Sequence, residues 1–156
     1  MRKLCSDIGE VLSCGAHMRE LRRTRAGSLS EENGLVTLHE LSGAQDDFEA
    51  GNEIPLRAMI RPMETALYAI PQIMIRDSAV DAVCHGAELA IPGIVKVDSQ
   101  LEKNKPLAVT TLKGEAVALG RALLGLPEIL EKESGLAVKT ERVLMERGTY
   151  PAMWKR

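Results

Sequence analysis

The chain has 156 residues, a formal net charge of −2, three cysteines, and 45% hydrophobic against only 3% aromatic side chains. That length fits one domain of ordinary size, or a small domain with an appendage, and suffices to bury a core. Cys5, Cys14 and Cys84 follow no regular spacing and no apolar signal stretch is present, which argues against a disulfide framework and for a reducing, cytoplasmic compartment; the longest apolar runs are too short and interrupted to span a bilayer.

The small net charge conceals segregation along the chain: residues 1–25 carry +3, residues 26–56 carry −7 and residues 57–156 carry +2. A polyanionic partner would therefore meet local basic surface rather than the field of the whole molecule.

Taken in chain order, Leu4, Ile8, Val11 and Leu12 fall at i, i+4, i+7 and i+8, one apolar face of a helix, with Gly15 placed to end it. No chain precedes that face to cover it, so residues 1–25 are expected to be the closing stretch of a domain that begins elsewhere. The helix leads into RELRRTR, a basic strand with Arg19, Arg22, Arg23 and Arg25. Residues 30–53 are acidic, rich in turn residues and free of Lys and Arg. Only Leu35–Leu41 is apolar inside them, which reads as a short strand between loops at a domain boundary. Pro62 then opens a short helix through Met63, Ala66 and Leu67 that stops near Pro71.

From Ile73 the texture changes to short strands. Ile73–Arg76 is a β-type run, Ser78-Ala-Val-Asp81 has the capping-box pattern of a brief helix, and Gly86 suits the end of that helix. Pro92-Gly93 marks a turn and Ile94–Val97 a strand. Leu107–Leu112 and Glu115–Leu124 flank Lys113-Gly114 as a hairpin, and Leu136–Leu144 is a last long strand. One helix among five or six short strands argues a small mixed barrel.

Two sets of segments carry a resemblance. DSAVDAVCHGAELAIPGIVKV (Asp77–Val97), TLKGEAVALG (Thr111–Gly120) and ERVLMERGTYPAMW (Glu141–Trp154) resemble the PUA domain of archaeal dyskerin-type pseudouridine synthases. RKLCSDIGEVLSCGAHMRELRRTRAGSL resembles the last motif of their catalytic domain. The resemblance implies an α+β architecture, in which a mostly-β PUA pseudo-barrel follows a C-terminal remnant of the catalytic domain. The expected limits are residues 1–50 for the remnant, 51–71 for a connecting helical segment and 72–154 for the PUA domain.

Members of that family are subunits of H/ACA ribonucleoprotein particles, in which a guide RNA pairs with a substrate RNA, tRNA or rRNA, and a flipped-out uridine becomes pseudouridine. The family's nucleophile is the aspartate of a GTLDP-type motif, which does not occur in these 156 residues, so the chain alone is expected to be inactive. Arg2 matches the arginine that pairs with that aspartate and Leu21 an apolar residue of the base pocket. In the PUA part the resemblance places His85, Gly86, Ala87, Leu89, Pro92 and Gly93 against the ACA end of the guide RNA. Lys96, Arg142 and Arg147 are available for phosphates, and Tyr150 and Trp154 as stacking faces. For the two aromatics, closure of the barrel end stands as the competing reading.

The family also binds a small zinc-ribbon protein and a small β-barrel protein, largely through the catalytic domain, and this chain is expected to hold neither well. His17, His39 and His85 lie far apart and the adjacent Cys84 and His85 have no second pair at ligand spacing, so neither a metal site nor a cofactor is expected. Cys84 reads as a small core residue at a helix end. Two functions from different classes remain. One is the C-terminal part of a guide-RNA-dependent synthase; the other is a free-standing, non-catalytic PUA adaptor. An in-frame tyrosine codon directly upstream of Met1, with a GTLDP-like motif further back, would decide for the first.

Overall fold

The computed structural model describes residues 1–153. It divides into two compact units, residues 1–36 and the chain from Thr37 onward.

In the first unit, helix α1 (Arg2–Val11) forms as the apolar spacing predicts, and Leu4, Ile8, Val11 and Leu12 are 50% exposed or more. The chain then folds back across the helix at Gly9, whose missing Cβ would sit 2.2 Å from the Ala16 nitrogen. Only glycine permits that approach. The expected basic strand is mostly irregular: only Arg25 joins a ladder, where β1 (Arg25–Ala26) pairs with β2 (Leu29–Ser30) around Gly27. A two-residue partner offers no further backbone groups for Arg19 to Arg23 to pair with.

The second unit opens with helix α2 (Leu38–Glu49), where the sequence reading placed a strand over Leu35–Leu41. The cause is local. The Thr37 hydroxyl accepts a hydrogen bond from the Glu40 amide (3.2 Å) and the Glu40 carboxylate accepts one from the Thr37 amide (2.7 Å), a complete capping box. Helix α3 (Ile54–Met59) carries proline in its first turn, and the segment opened by Pro62 is a 3-10 helix, Met63–Ala69. Leu67 and Ile70 pack on Ala108 and Ala116, and the Glu64 carboxylate accepts the Ala116 amide at 3.0 Å.

The remaining elements build a six-stranded sheet and its covering helices. They are β3 (Gln72–Ile75), helix α4 (Asp77–Cys84), β4 (Leu89–Ala90), β5 (Ile94–Val97), β6 (Pro106–Thr111), β7 (Ala116–Ala122), helix α5 (Leu126–Glu131) and β8 (Leu136–Val143). The order across the sheet is β4-β8-β7-β6-β3-β5, with β3 and β6 parallel and every other pair antiparallel. β4 and β5 stand at opposite ends of this order, yet only the 3-10 turn Ile91–Gly93 separates them. Four peptide steps span at most about 14 Å, so the two edges are drawn together and the sheet curls into a pseudo-barrel.

Its core holds Ile73, Ile75, Leu107, Val109, Val117 and Val138, all fully buried, with Val80, Val83 and Cys84 from one face of α4 laid over them. Cys84 is thus the core residue its sequence position suggests.

Two details differ from expectation. Helix α4 starts at Asp77 with Arg76 as N-cap and no side-chain capping bond, because a guanidinium has no acceptor to offer; the Arg76 amide donates to the Gly93 carbonyl at 2.9 Å. Ser78 therefore lies inside the helix, and Ser78–Asp81 is not a capping box. The second helix, α5, was not anticipated; Pro127 in its first turn and the Glu128 carboxylate on the Gly125 amide (2.9 Å) start it. No helix among the described residues is long and apolar enough to cross a membrane.

Candidate nucleic-acid interface

The most built feature of the second unit is the passage from α4 into β4. Cys84 ends the helix, His85 caps it, and Gly86 adopts φ +85°. The Gly86 amide donates to the Val83 carbonyl (2.8 Å) and the Ala87 amide to the Ala82 carbonyl (3.0 Å), the paired bonds of a Schellman motif, which requires the left-handed glycine. His85 Nδ1 lies 2.8 Å from the Asp81 carbonyl oxygen, fixing the ring against the last turn while the side chain stays half exposed.

Past this turn the chain enters β4, where Leu89 pairs with Val138 and Ala90 with Leu136. The Thr140 hydroxyl donates to the Ala87 carbonyl at 2.7 Å and the Ile91 amide to the Gly135 carbonyl at 2.9 Å, so β8 holds the whole segment. Between α4 and this segment lies an open, mainly apolar groove of about 350 Å³, lined mostly by small and aliphatic residues, among them Ala79, Ala82, Ala87, Pro92 and Gly93, with one acidic side chain, Glu88. Its floor is set by small residues. A Cβ on Gly93 would come within 3.1 Å of both the Ala79 Cβ and a Leu89 methyl, so glycine keeps helix and strand this close. The Cys84 thiol beneath is pushed up from its usual pKa by burial and then by the Asp81 charge, which keeps it inert.

The groove brings Ala87, Leu89, Pro92 and Gly93 together, whereas His85 and Gly86 form the turn that leads into it and are not among its lining residues; β8, which holds the segment, also carries the exposed Arg142. Arg147 is exposed just beyond that strand. Lys96 is not part of the groove: it lies on β5 opposite Met74 and lines a separate, more polar depression of about 430 Å³ with Gln72, Asp98 and Ser99. Tyr150 is buried at 8% exposure and its hydroxyl donates to the Glu115 carboxylate (2.5 Å), while Lys113 Nζ sits 5.4 Å from the ring centroid. With the ring in the core, stacking gives way to the competing reading, closure of the barrel end. Trp154 lies outside the described residues.

In the first unit Arg2 and Leu21 are both exposed, Leu21 at 64%. Sequence reading missed Thr140, Ala79 and Ala82. The alternation along β8 and the i, i+3 spacing on α4 were the available signals, but nothing in them says which side of an element faces a groove.

The pattern that defines the C-terminal domain of tRNA pseudouridylate synthase B matches residues 2–68, and that of the PUA domain matches residues 71–144. A probable tRNA pseudouridine synthase B of Methanopyrus kandleri is 56% identical over 155 residues, which are 99% of this chain and 46% of that protein. The protein of the same description from Saccharolobus solfataricus is 50% identical over all of this chain and 62% of its own length. Among solved structures, a chain of an H/ACA ribonucleoprotein bound to a substrate RNA containing 2'-deoxyuridine superposes with a TM-score of 0.91 at 47% identity, over 98% of this chain and 49% of that one. An archaeal box H/ACA Nop10–Cbf5 complex gives a TM-score of 0.89, also at 47% identity, over 98% and 50%. The chain spans about half the length of most of the curated relatives it matches. It belongs to the archaeal dyskerin-type pseudouridine synthases, matching the C-terminal portion of that family together with its PUA domain.

Proposed function

We propose that the chain is the RNA-binding C-terminal part of a guide-RNA-dependent H/ACA pseudouridine synthase acting on tRNA or rRNA, and that its PUA unit holds the ACA end of the guide RNA. The observation that carries this reading is the small-residue groove between α4 and β4, opened by the Gly86 turn and held by Thr140. The glycine, alanine and proline residues of its lining let bases and sugar approach the protein backbone closely, and the bases of a single-stranded end are free to do so. Arg142 on the neighbouring strand, Arg147 beyond it and Lys96 at the separate depression neutralise phosphates without reading sequence. The likeness to a chain of an H/ACA particle bound to substrate RNA supports the same partners: guide RNA, substrate RNA and the small proteins of the particle.

In this reading the PUA unit positions RNA and does no chemistry. A guide RNA held by its ACA end has its substrate-pairing pocket at a fixed distance from the bound end, so the contribution to catalysis is orientation. Arg2 and Leu21 match family positions that serve the nucleophilic aspartate, and no GTLDP-type segment is present in the sequence; isomerisation therefore needs the rest of the catalytic fold.

The test is binding of the purified chain to an RNA hairpin ending in ACA and to one with that end mutated. The first should bind more tightly, with affinity falling as salt rises by roughly 0.7 to 0.9 in log–log slope per phosphate contacted. Equal affinity for both hairpins would remove the specific reading, and any pseudouridine made by the chain alone would refute its inactivity.

A further inference from the structure

The segment after β8 is firmly built. The Leu144 and Met145 amides both donate to the Val117 carbonyl, at 2.9 and 3.1 Å, and the Met145 side chain packs on the core. Then comes a four-residue turn, Glu146-Arg147-Gly148-Thr149. The Thr149 amide and hydroxyl both reach the Glu146 carbonyl, at 3.4 and 2.8 Å, and Gly148 has φ +81°. A positive φ at the third position is the mark of a type II turn and calls for glycine. Directly after it, Tyr150 enters the core and its hydroxyl donates to Glu115, which also accepts from the Thr111 hydroxyl at 2.8 Å.

The turn is therefore clamped at both ends, by Met145 on β7 and by Tyr150 on the β6–β7 hairpin. Its second residue, Arg147, is exposed and has no ion-pair partner among the described residues. A long cation normally loses much of its rotational and backbone freedom on binding a phosphate; a clamped turn has given up the backbone share beforehand. The pKa shifts agree with the clamp: the Glu115 carboxyl is held below its usual range first by the Tyr150 hydroxyl and then by Thr111, and Lys113 is held above its own by Tyr150 and Glu115.

We infer that Tyr150 is a positioning residue for RNA binding: through its hydroxyl bond to Glu115 it holds the 146–149 turn so that Arg147 is presented to the RNA phosphate backbone. This rests on the RNA-binding reading above and reassigns Tyr150 from a stacking face to the clamp behind a phosphate contact.

The experiment compares wild type with Tyr150→Phe, Arg147→Ala and the double variant, on the ACA hairpin and on its mutated counterpart, over a series of salt concentrations. Tyr150→Phe keeps the ring in the core and removes only the clamping hydroxyl. It should weaken binding about fivefold near 0.1 M salt and flatten the log–log salt slope by up to one phosphate contact, about 0.7 to 0.9. Arg147→Ala should do the same, and the double variant should be no weaker than Arg147→Ala alone. Unchanged affinity and slope in Tyr150→Phe overturn the inference, and so does a double variant whose losses add. A phosphate contact carries no sequence information, so the loss relative to wild type should be equal on both hairpins. Absence of an ACA preference in wild type therefore counts against the functional reading alone, while the Tyr150→Phe ratio decides this one.

Discussion

Gly120 sits on β7 where a register shift separates its pairing with Thr140 from the pairing of Leu119 with Arg142. An alanine there would place its Cβ 2.6 Å from a Val138 methyl and 2.7 Å from the Lys139 carbonyl oxygen. Carbon atoms in contact normally keep about 3.5 Å or more, so nearly an ångström must be found on each side. Neither neighbour can give it cheaply. Val138 is fully buried among core residues, and the Lys139 carbonyl belongs to the backbone of the β7–β8 ladder. Overpacking of a well-filled core costs typically about 1 to 3 kcal/mol, and two rigid neighbours put Gly120→Ala at the upper end, about 3 kcal/mol. For a domain of roughly 100 residues that is a fall in Tm on the order of 15 °C, read by thermal denaturation. The same substitution pushes on the stretch of β8 that carries Thr140, so RNA binding measured well below the new Tm should also fall. A Tm within about 3 °C of wild type would mean that β8 yields freely, and the argument that this strand holds the groove rigidly would collapse.

Gly43 provides the opposite sign: it lies in α2 with open space where a Cβ would go, so Gly43→Ala should raise stability by about 0.5 to 1 kcal/mol, visible as a higher denaturation midpoint. Thr37→Ala removes the capping hydroxyl of the same helix and should cost about 1 kcal/mol by denaturant titration; no change would show that α2 does not depend on its cap. Thr140→Val keeps the shape of the side chain but frees the Ala87 carbonyl, and is expected to loosen the groove more than the fold: hairpin affinity should drop several-fold while Tm moves little. The Glu115 carboxyl titrates below its usual value in the folded chain, so the clamp it makes with Tyr150 is fully present above pH 4.5 and is lost as the pH falls through the lower folded value. The protection factors of the 146–149 amides, which are their exchange rates corrected for the intrinsic pH dependence, should accordingly fall on acidification towards that folded value, and Tyr150→Phe should abolish this fall.

How far the sequence speaks for the structure depends on where the determining interaction lies. Strands β3, β5, β6, β7 and β8 were legible because apolar alternation and turn residues are local signals, and so was the end of α4 at Gly86. Leu35–Leu41 reads as a strand on its β-type residues, yet Thr37 and Glu40 cap each other, and that reciprocal pair turns the apolar run into a helix start. At Ser78 a local capping pattern meets a helix that already starts at Asp77, next to an Arg76 amide held by the distant Gly93 carbonyl. The site shows the same division. Gly86 and Gly93 are legible as turn glycines, but the pairing of β4 with β8, which holds the groove segment in place, joins residues far apart in the chain. Tyr150 admits two competing roles in sequence, and its burial and its bond to Glu115, both long-range, bear on them.

That long-range pairing also sets when the site comes into being. Every lining residue of the groove is in hand once residue 93 has been made, yet the strand that fixes β4 is synthesised about fifty residues later. Until β8 arrives, β4 is an unpaired edge beside an apolar helix face, a surface open to wrong partners during synthesis and slow to close because the contact is so distant in sequence. The groove is thus among the late parts of this fold to form, and a nascent chain has it only when β8 is in place.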